Sequence, residues 1–241
     1  MSKVYADKIE PRDSTMDVTI GTSTNTVTLA GNDIRANTVK DAGGNTLWTS
    51  DGSGNLSSVN SALAGNLVLL STSTPSGASS VSFTTGIDST YDVYIFKFID
   101  INPATDGKNF MFNGSIDGGS NYNVTKTTTY FSAQFAEAGD GSSLAYESSQ
   151  DLAQSTAYQE LIRNIGNGAD ESGAGTLWLF NPSNTTYVKH FYSVNNGYYN
   201  SDYSMNPYIG GYFNTTDNID AIDFKVDAGN FDGVIKMYGL L

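Results

Sequence analysis

The sequence predicts an all-β protein, with a short-stranded N-terminal oligomerisation stem followed by an antiparallel β-sandwich of the jelly-roll kind. Short runs rich in Val, Ile, Thr, Tyr and Phe recur between Gly, Asn and Asp turns, at intervals of roughly eight to twelve residues. No apolar helical period persists beyond a turn or two. Much of the apolar mass is aromatic, 15 Tyr and 12 Phe in 241 residues, and 25 Gly punctuate the chain.

Residues 1–62 read as the stem. Met16 to Leu29 holds two short runs, Val18 with Ile20 and Val27 with Leu29. Asn32 to Val39, the turn Asp41 to Asn45, Thr46 to Trp48, the turn Asp51 to Asn55 and Leu56 to Val59 follow. Each strand offers one or two apolar side chains, too few to close a core within one chain. Copies wound round a common axis remedy that, and a homotrimer is the expected state; a flexible, low-complexity N-terminal arm is the alternative.

Residues 63–241 read as the sandwich. Leu67 to Leu70 is a buried strand, Ser71 to Ser80 a loop, and Val81 to Phe83 a strand ending in a turn at Gly86 to Thr90. Tyr91 to Ile101 is the strongest strand; its broken alternation predicts two covered faces or a bulge near Phe96-Lys97. Phe110 to Ile116, a hairpin turn at Asp117 to Gly119, and Tyr122 to Phe131 come next. Ala133 to Gln154 reads as a long polar loop, and Ala153 to Ile162 as a short helix. Strands at Leu161–Ile165, Thr176–Phe180, Tyr187–Val194, Tyr208–Phe213, Ile219–Val226 and Gly233–Tyr238 complete a set of about ten, which two packed antiparallel sheets can bury. Gly233 is expected to permit a tight turn into the last strand.

The formal charge of −13, with no Lys/Arg cluster, argues against nucleic acid and against an anionic membrane surface. No stretch approaches a membrane span, and no cysteine is present for a disulfide or a thiolate metal site. Met1 to Ser14 lacks the apolar run of an export signal.

Catalytic, cofactor and metal sites are not expected. His190 is the sole histidine and lies in a strand pattern without a nucleophile elbow. The acids Glu137, Asp140, Glu147, Asp170 and Glu171 are the candidates for glycan cleavage, which needs two carboxylates facing across a gap. Asp51-Gly-Ser-Gly-Asn55 superficially resembles a calcium loop without its acid spacing. The better lead is recognition. Tyr192, Tyr198, Tyr199, Tyr203 and Tyr208, with Asn195 and Asn196, crowd the segment Ser193 to Pro207, which reads as an exposed loop nearly free of charge. Rings supply rigid contact area and amides match hydroxyls, so a host-surface glycan is the expected ligand. Packing of these tyrosines against a neighbouring subunit is the alternative.

Gly173-Ala-Gly-Thr-Leu-Trp-Leu-Phe-Asn-Pro182, Tyr187 to Phe191, Gly211 to Thr215, Ile219 to Phe224 and Phe231-Asp-Gly-Val-Ile-Lys-Met-Tyr-Gly239 follow one another in an order that resembles the terminal β-sandwich of virion and tail-fibre-like proteins of marine tailed phages, cyanophages in particular. Asp117 to Tyr122, Asp17 to Gly21 and Asn45 to Asn55 belong to the same pattern. The resemblance implies a virion component, and with no catalytic constellation expected it is read as a non-enzymatic one, contacting itself and other virion proteins and released from the host by lysis. A tail-fibre-like appendage is the first expectation, a capsid decoration or head-fibre protein the second, and a glycan-cleaving tailspike the rival from another class.

Overall fold

The computed structural model describes residues 36–53, 59–60 and 66–240. The strands expected over 16–29, the start of Asn32–Val39 and most of Leu56–Val59 lie outside them. The chain divides into two compact units, Met1–Asn60 and Ser61–Leu241.

In the first unit, β1 (Thr38–Lys40) pairs antiparallel with β2 (Thr46–Thr49). The turn between them is built by Asp41, whose Oδ1 accepts from the backbone amides of Gly43 and Asn45, both at 2.8 Å. The hydrogen bond from the Asn45 side chain, with these from the amides, holds the Asp41 carboxyl below its ordinary range. None of the described residues of this unit is buried, Leu47 and Trp48 included.

The second unit is an all-β sandwich, and among the described residues there is no helix. Its strands are β3 (Leu67–Ser73), β4 (Ser80–Phe83), β5 (Val93–Pro103), β6 (Lys108–Ser115), β7 (Lys126–Ala136), β8 (Ser142–Tyr146), β9 (Gln159–Ile165), β10 (Gly173–Phe180), β11 (Lys189–Tyr199), β12 (Tyr203–Phe213), β13 (Ala221–Val226) and β14 (Phe231–Leu240). One sheet runs β3-β14-β5-β10-β11-β12-β7-β8, and a smaller one runs β9-β6-β13-β4. A single antiparallel contact, Tyr199 with Ile165, joins them at one corner. The core between the sheets is phenylalanine-rich. Phe224 of the small sheet stacks on Phe110 (5.8 Å, 11°) and meets Phe83, Phe96 and Phe98 of the surrounding strands at 5.1–6.1 Å.

Several local expectations are corrected. Ala133 to Gln154 is not a loop: β7 runs on to Ala136 and pairs with β8. Ala153 to Ile162 is not helical: β9 begins at Gln159, and the bends before it, with Gln154 at φ 49°, are held by tertiary partners. Leu152 N–H donates to Thr128 Oγ1 (2.9 Å), and Ser155 exchanges two backbone bonds with Lys126. Ser193 to Pro207 is the β11–β12 hairpin, not an exposed loop, with only Asn200 to Asp202 between its strands. The Asp117 turn is tight, but β6 and β7 do not pair across it, so the chain passes there from the small sheet to the large one. The strand placed at Tyr122–Phe131 begins later, at Lys126.

The strongest strand does carry a bulge, at Ile99-Asp100 rather than Phe96-Lys97. Register breaks on both neighbours there, and Asp100 has φ 52°. The extra residue moves the inward set from Tyr94, Phe96 and Phe98 to Ile101 and Pro103. Gly233 lies opposite the bulge within β14, at φ 144°, where an added Cβ would sit 2.9 Å from the Asp100 carbonyl oxygen. Close approach, not a turn into the strand, is what requires glycine.

Lys126 and Lys189 are buried and lie in one cross-strand row with Phe213 between them. Lys126 Nζ donates to the carbonyls of Val124 (3.1 Å) and Ala157 (2.5 Å), and burial pulls its ammonium down to about 7. Lys189 Nζ donates to the carbonyls of Tyr187 (3.0 Å) and Thr215 (3.2 Å), and burial lowers its pKa too.

Candidate functional site

The residues singled out in the tyrosine-rich segment separate by strand alternation. Asn195 points inward and is buried. Its Nδ2 donates to the Leu161 carbonyl at 3.0 Å, and its side chain occupies the space a Cβ on Gly175 would need. Asn196 points outward and donates to Ser204 Oγ and the Met205 carbonyl, both at 3.1 Å. Tyr199 and Tyr203 are half-buried and meet edge-on at 6.2 Å, the Tyr199 hydroxyl accepting from Asn164 Nδ2. Tyr198 donates to Asp202 Oδ1 at 3.0 Å, a bond that pushes its phenol up to about 12.

Of the five, Asn196 and Tyr198 enter one cleft of about 370 Å³ at the turn end of the hairpin. Phe135 and Ser204 line it as well, and so do Glu137 and Asp170, from segments far away in sequence. The surface expected to be neutral therefore carries two carboxylates. Spacing within the tyrosine segment held no signal for them, because sheet pairing brings them in. Glu171 is tied into its own loop, accepting from Gly168 N–H at 2.6 Å, and Glu147 pairs with Arg163 at 3.3 Å.

Beside the cleft, the edge strand β8 and its neighbour β7 present an apolar surface. Leu144 is 76% exposed, Tyr146 66%, Phe135 56% and Phe131 42%, and Phe131 stacks face to face on Tyr208 at 4.9 Å. The outward positions of β7 and β8 (Thr127, Thr129, Phe131, Ala133, Phe135, Ser142, Leu144 and Tyr146) include no charged residue.

At the opposite end of β11, His190 is exposed, its ring edge-on to Tyr212 at 6.0 Å. It borders one cavity of about 540 Å³ with Phe180, Asn184 and Tyr187, and another of about 270 Å³ with Thr129 and Gly210. Among the described residues His190 makes no side-chain hydrogen bond. Asp51 accepts from Ser53 N–H at 2.7 Å, an ordinary Asx turn. Among the described residues no group of three or more His, Cys, Asp or Glu is placed to hold a metal ion.

Comparison with protein-family models, with curated proteins and with solved structures finds no match for the chain.

Proposed function

We propose that this chain is a structural protein of a tailed-phage virion, a tail-fibre-like appendage subunit that assembles as a homotrimer and attaches to a host surface. The β7–β8 surface carries the reading. An edge strand, β8, flanked by exposed apolar side chains on β7 invites association, and soluble chains rarely leave such patches uncovered. In a chain of net charge −13, copies repel least across a face without carboxylates. The stem unit supports the same reading, since its short hairpin buries nothing by itself.

Sedimentation of the purified chain tests assembly. A trimer is expected, and Phe135→Asp with Leu144→Asp should shift it toward monomer without lowering secondary structure. A monomeric parent chain, or a double variant that sediments unchanged, sinks the assembly reading. Gold labelling of particles with an antibody to this chain tests the virion reading; label on the tail supports it, and unlabelled particles refute it.

A second reading, glycan cleavage, is favoured by one observation, that Glu137 and Asp170 line a common cleft. It predicts new reducing ends from host polysaccharide, lost in Glu137→Gln. The absence of turnover in the parent chain rejects it.

A further inference from the structure

We infer that the cavity bounded by Phe180, Tyr187 and His190 is a binding cleft for a neutral oligosaccharide. It deepens the attachment reading by naming a ligand class and a place on the domain. The end of the sandwich concerned is the one where Leu67 of β3 pairs with Leu240 of β14, opposite the Tyr198 cleft.

The first argument is rigidity. Tyr187 is 70% exposed, yet its backbone is held on both sides. Its N–H donates to Asn184 Oδ1 at 2.9 Å, which also accepts from Thr186 N–H at 2.7 Å, and its carbonyl accepts from the buried Lys189 Nζ. The same ammonium bonds the Thr215 carbonyl, and Ile219 N–H donates to the Pro182 carbonyl at 3.0 Å. The two loops that wall the cleft, Asn181 to Val188 and the segment around Thr216, are thus clamped together. An exposed ring on a fixed backbone loses little freedom on stacking against a ligand.

The second argument is chemical. None of the residues lining the cavity carries a carboxylate, ammonium or guanidinium. Its apolar area is Phe180, Tyr187 and Val188. Among the described residues, the side chain of Asn181, the Nδ2 of Asn184, the hydroxyls of Thr186 and Thr216 and the His190 imidazole make no hydrogen bond within the protein. Flat apolar faces interleaved with unspent amides and hydroxyls suit a sugar ring, whose C–H face stacks while its rim exchanges hydrogen bonds. They suit a phosphate or a polyanion poorly. His190 also borders the neighbouring cavity over Gly210, so the surface extends beyond the space for one sugar.

The test is saturation-transfer NMR on the purified full chain with neutral hexasaccharides of glucose, mannose, galactose and N-acetylglucosamine as probes. Transfer to ring C–H protons of at least one is expected. Tyr187→Ala should weaken it about tenfold, the scale of losing one aromatic contact, while Tyr187→Phe keeps it. Thr186→Val, a second exposed position, should weaken it without altering the melting temperature. No transfer from any of the four probes overturns the inference. Transfer unchanged in Tyr187→Ala, or abolished by Tyr198→Ala instead, overturns it equally. Sedimentation and particle labelling are read separately, so failure here leaves the assembly and virion readings to their own results.

Discussion

Replacing Lys126 with Met should change how the stability of the sandwich depends on pH. Lys126 is fully buried, and its pKa falls from the ordinary 10.5 to about 7 because the apolar surroundings penalise the ammonium. The unfolded chain holds that proton up to about pH 10.5, whereas the folded chain holds it only up to about pH 7. Between the two, unfolding takes up a proton, so the stability of the parent protein rises with pH. Below pH 7 both states are charged and the penalty is constant. The limiting slope for one proton is about 1.4 kcal/mol per pH unit. With the pKa at about 7 folded and 10.5 unfolded, roughly 3 kcal/mol is gained between pH 7 and pH 9.5. In Lys126→Met the two carbonyls lose their partner at every pH, a constant cost of about 1–3 kcal/mol each. Urea unfolding of both proteins from pH 6 to 9.5 isolates the titration as a difference of differences. The parent should gain on the variant as pH rises through 7. A flat or falling difference would show that Lys126 keeps its proton in the fold and that the buried-ammonium argument is wrong.

Phe224→Ala removes a fully buried ring that meets five other phenylalanines; the expected loss is about 3–5 kcal/mol in chemical unfolding. Gly233→Ala places a Cβ 2.9 Å from the Asp100 carbonyl oxygen at φ 144°; a loss of about 1–3 kcal/mol is expected from the strain alone, and an unchanged midpoint would mean the bulge relaxes freely. Asn184→Ala frees the amides of Thr186 and Tyr187 and should speed their hydrogen exchange, at a cost of about 1 kcal/mol.

The sequence made the class of fold legible and hid its polar interior. Tyr91–Ile101 and the Phe-rich runs announce strands because their apolar side chains alternate or run together. The strand ends Tyr187–Val194 and Tyr208–Phe213 were legible, but the turn half of the hairpin between them escaped, since its inward positions on β11 are Ser193, Asn195 and Gly197, which pattern reading sends to the surface, as it does Lys189. They are buried because each polar group finds a partner, Asn195 at the Leu161 carbonyl and Lys189 at two others, and that pairing is set by strands far away in the chain. Gln159, buried at the start of β9 with its Oε1 accepting from Thr128 Oγ1, disguised the beginning of that strand in the same way. Of the recognition residues, alternation along β11 separates Asn195 from Asn196 once the hairpin is known. Glu137 and Asp170, and the walls around Tyr187, become neighbours only through tertiary pairing, so no local motif marks them.

The place of β14 has a consequence for biosynthesis. It lies between β3 and β5, pairing Leu240 with both Leu67 and Val93. Until β14 has been made, the first strand of the domain has no partner in its own sheet, and the nascent chain must wait with β3 and one edge of β5 open. Contacts between such distant parts of a chain form slowly. A polypeptide cut short before Phe231 would leave the ribosome with two raw edges and a core missing Phe231, Ile235 and Met237. The last strand thus acts as a check on completeness, so that only chains carrying it can close the sheet.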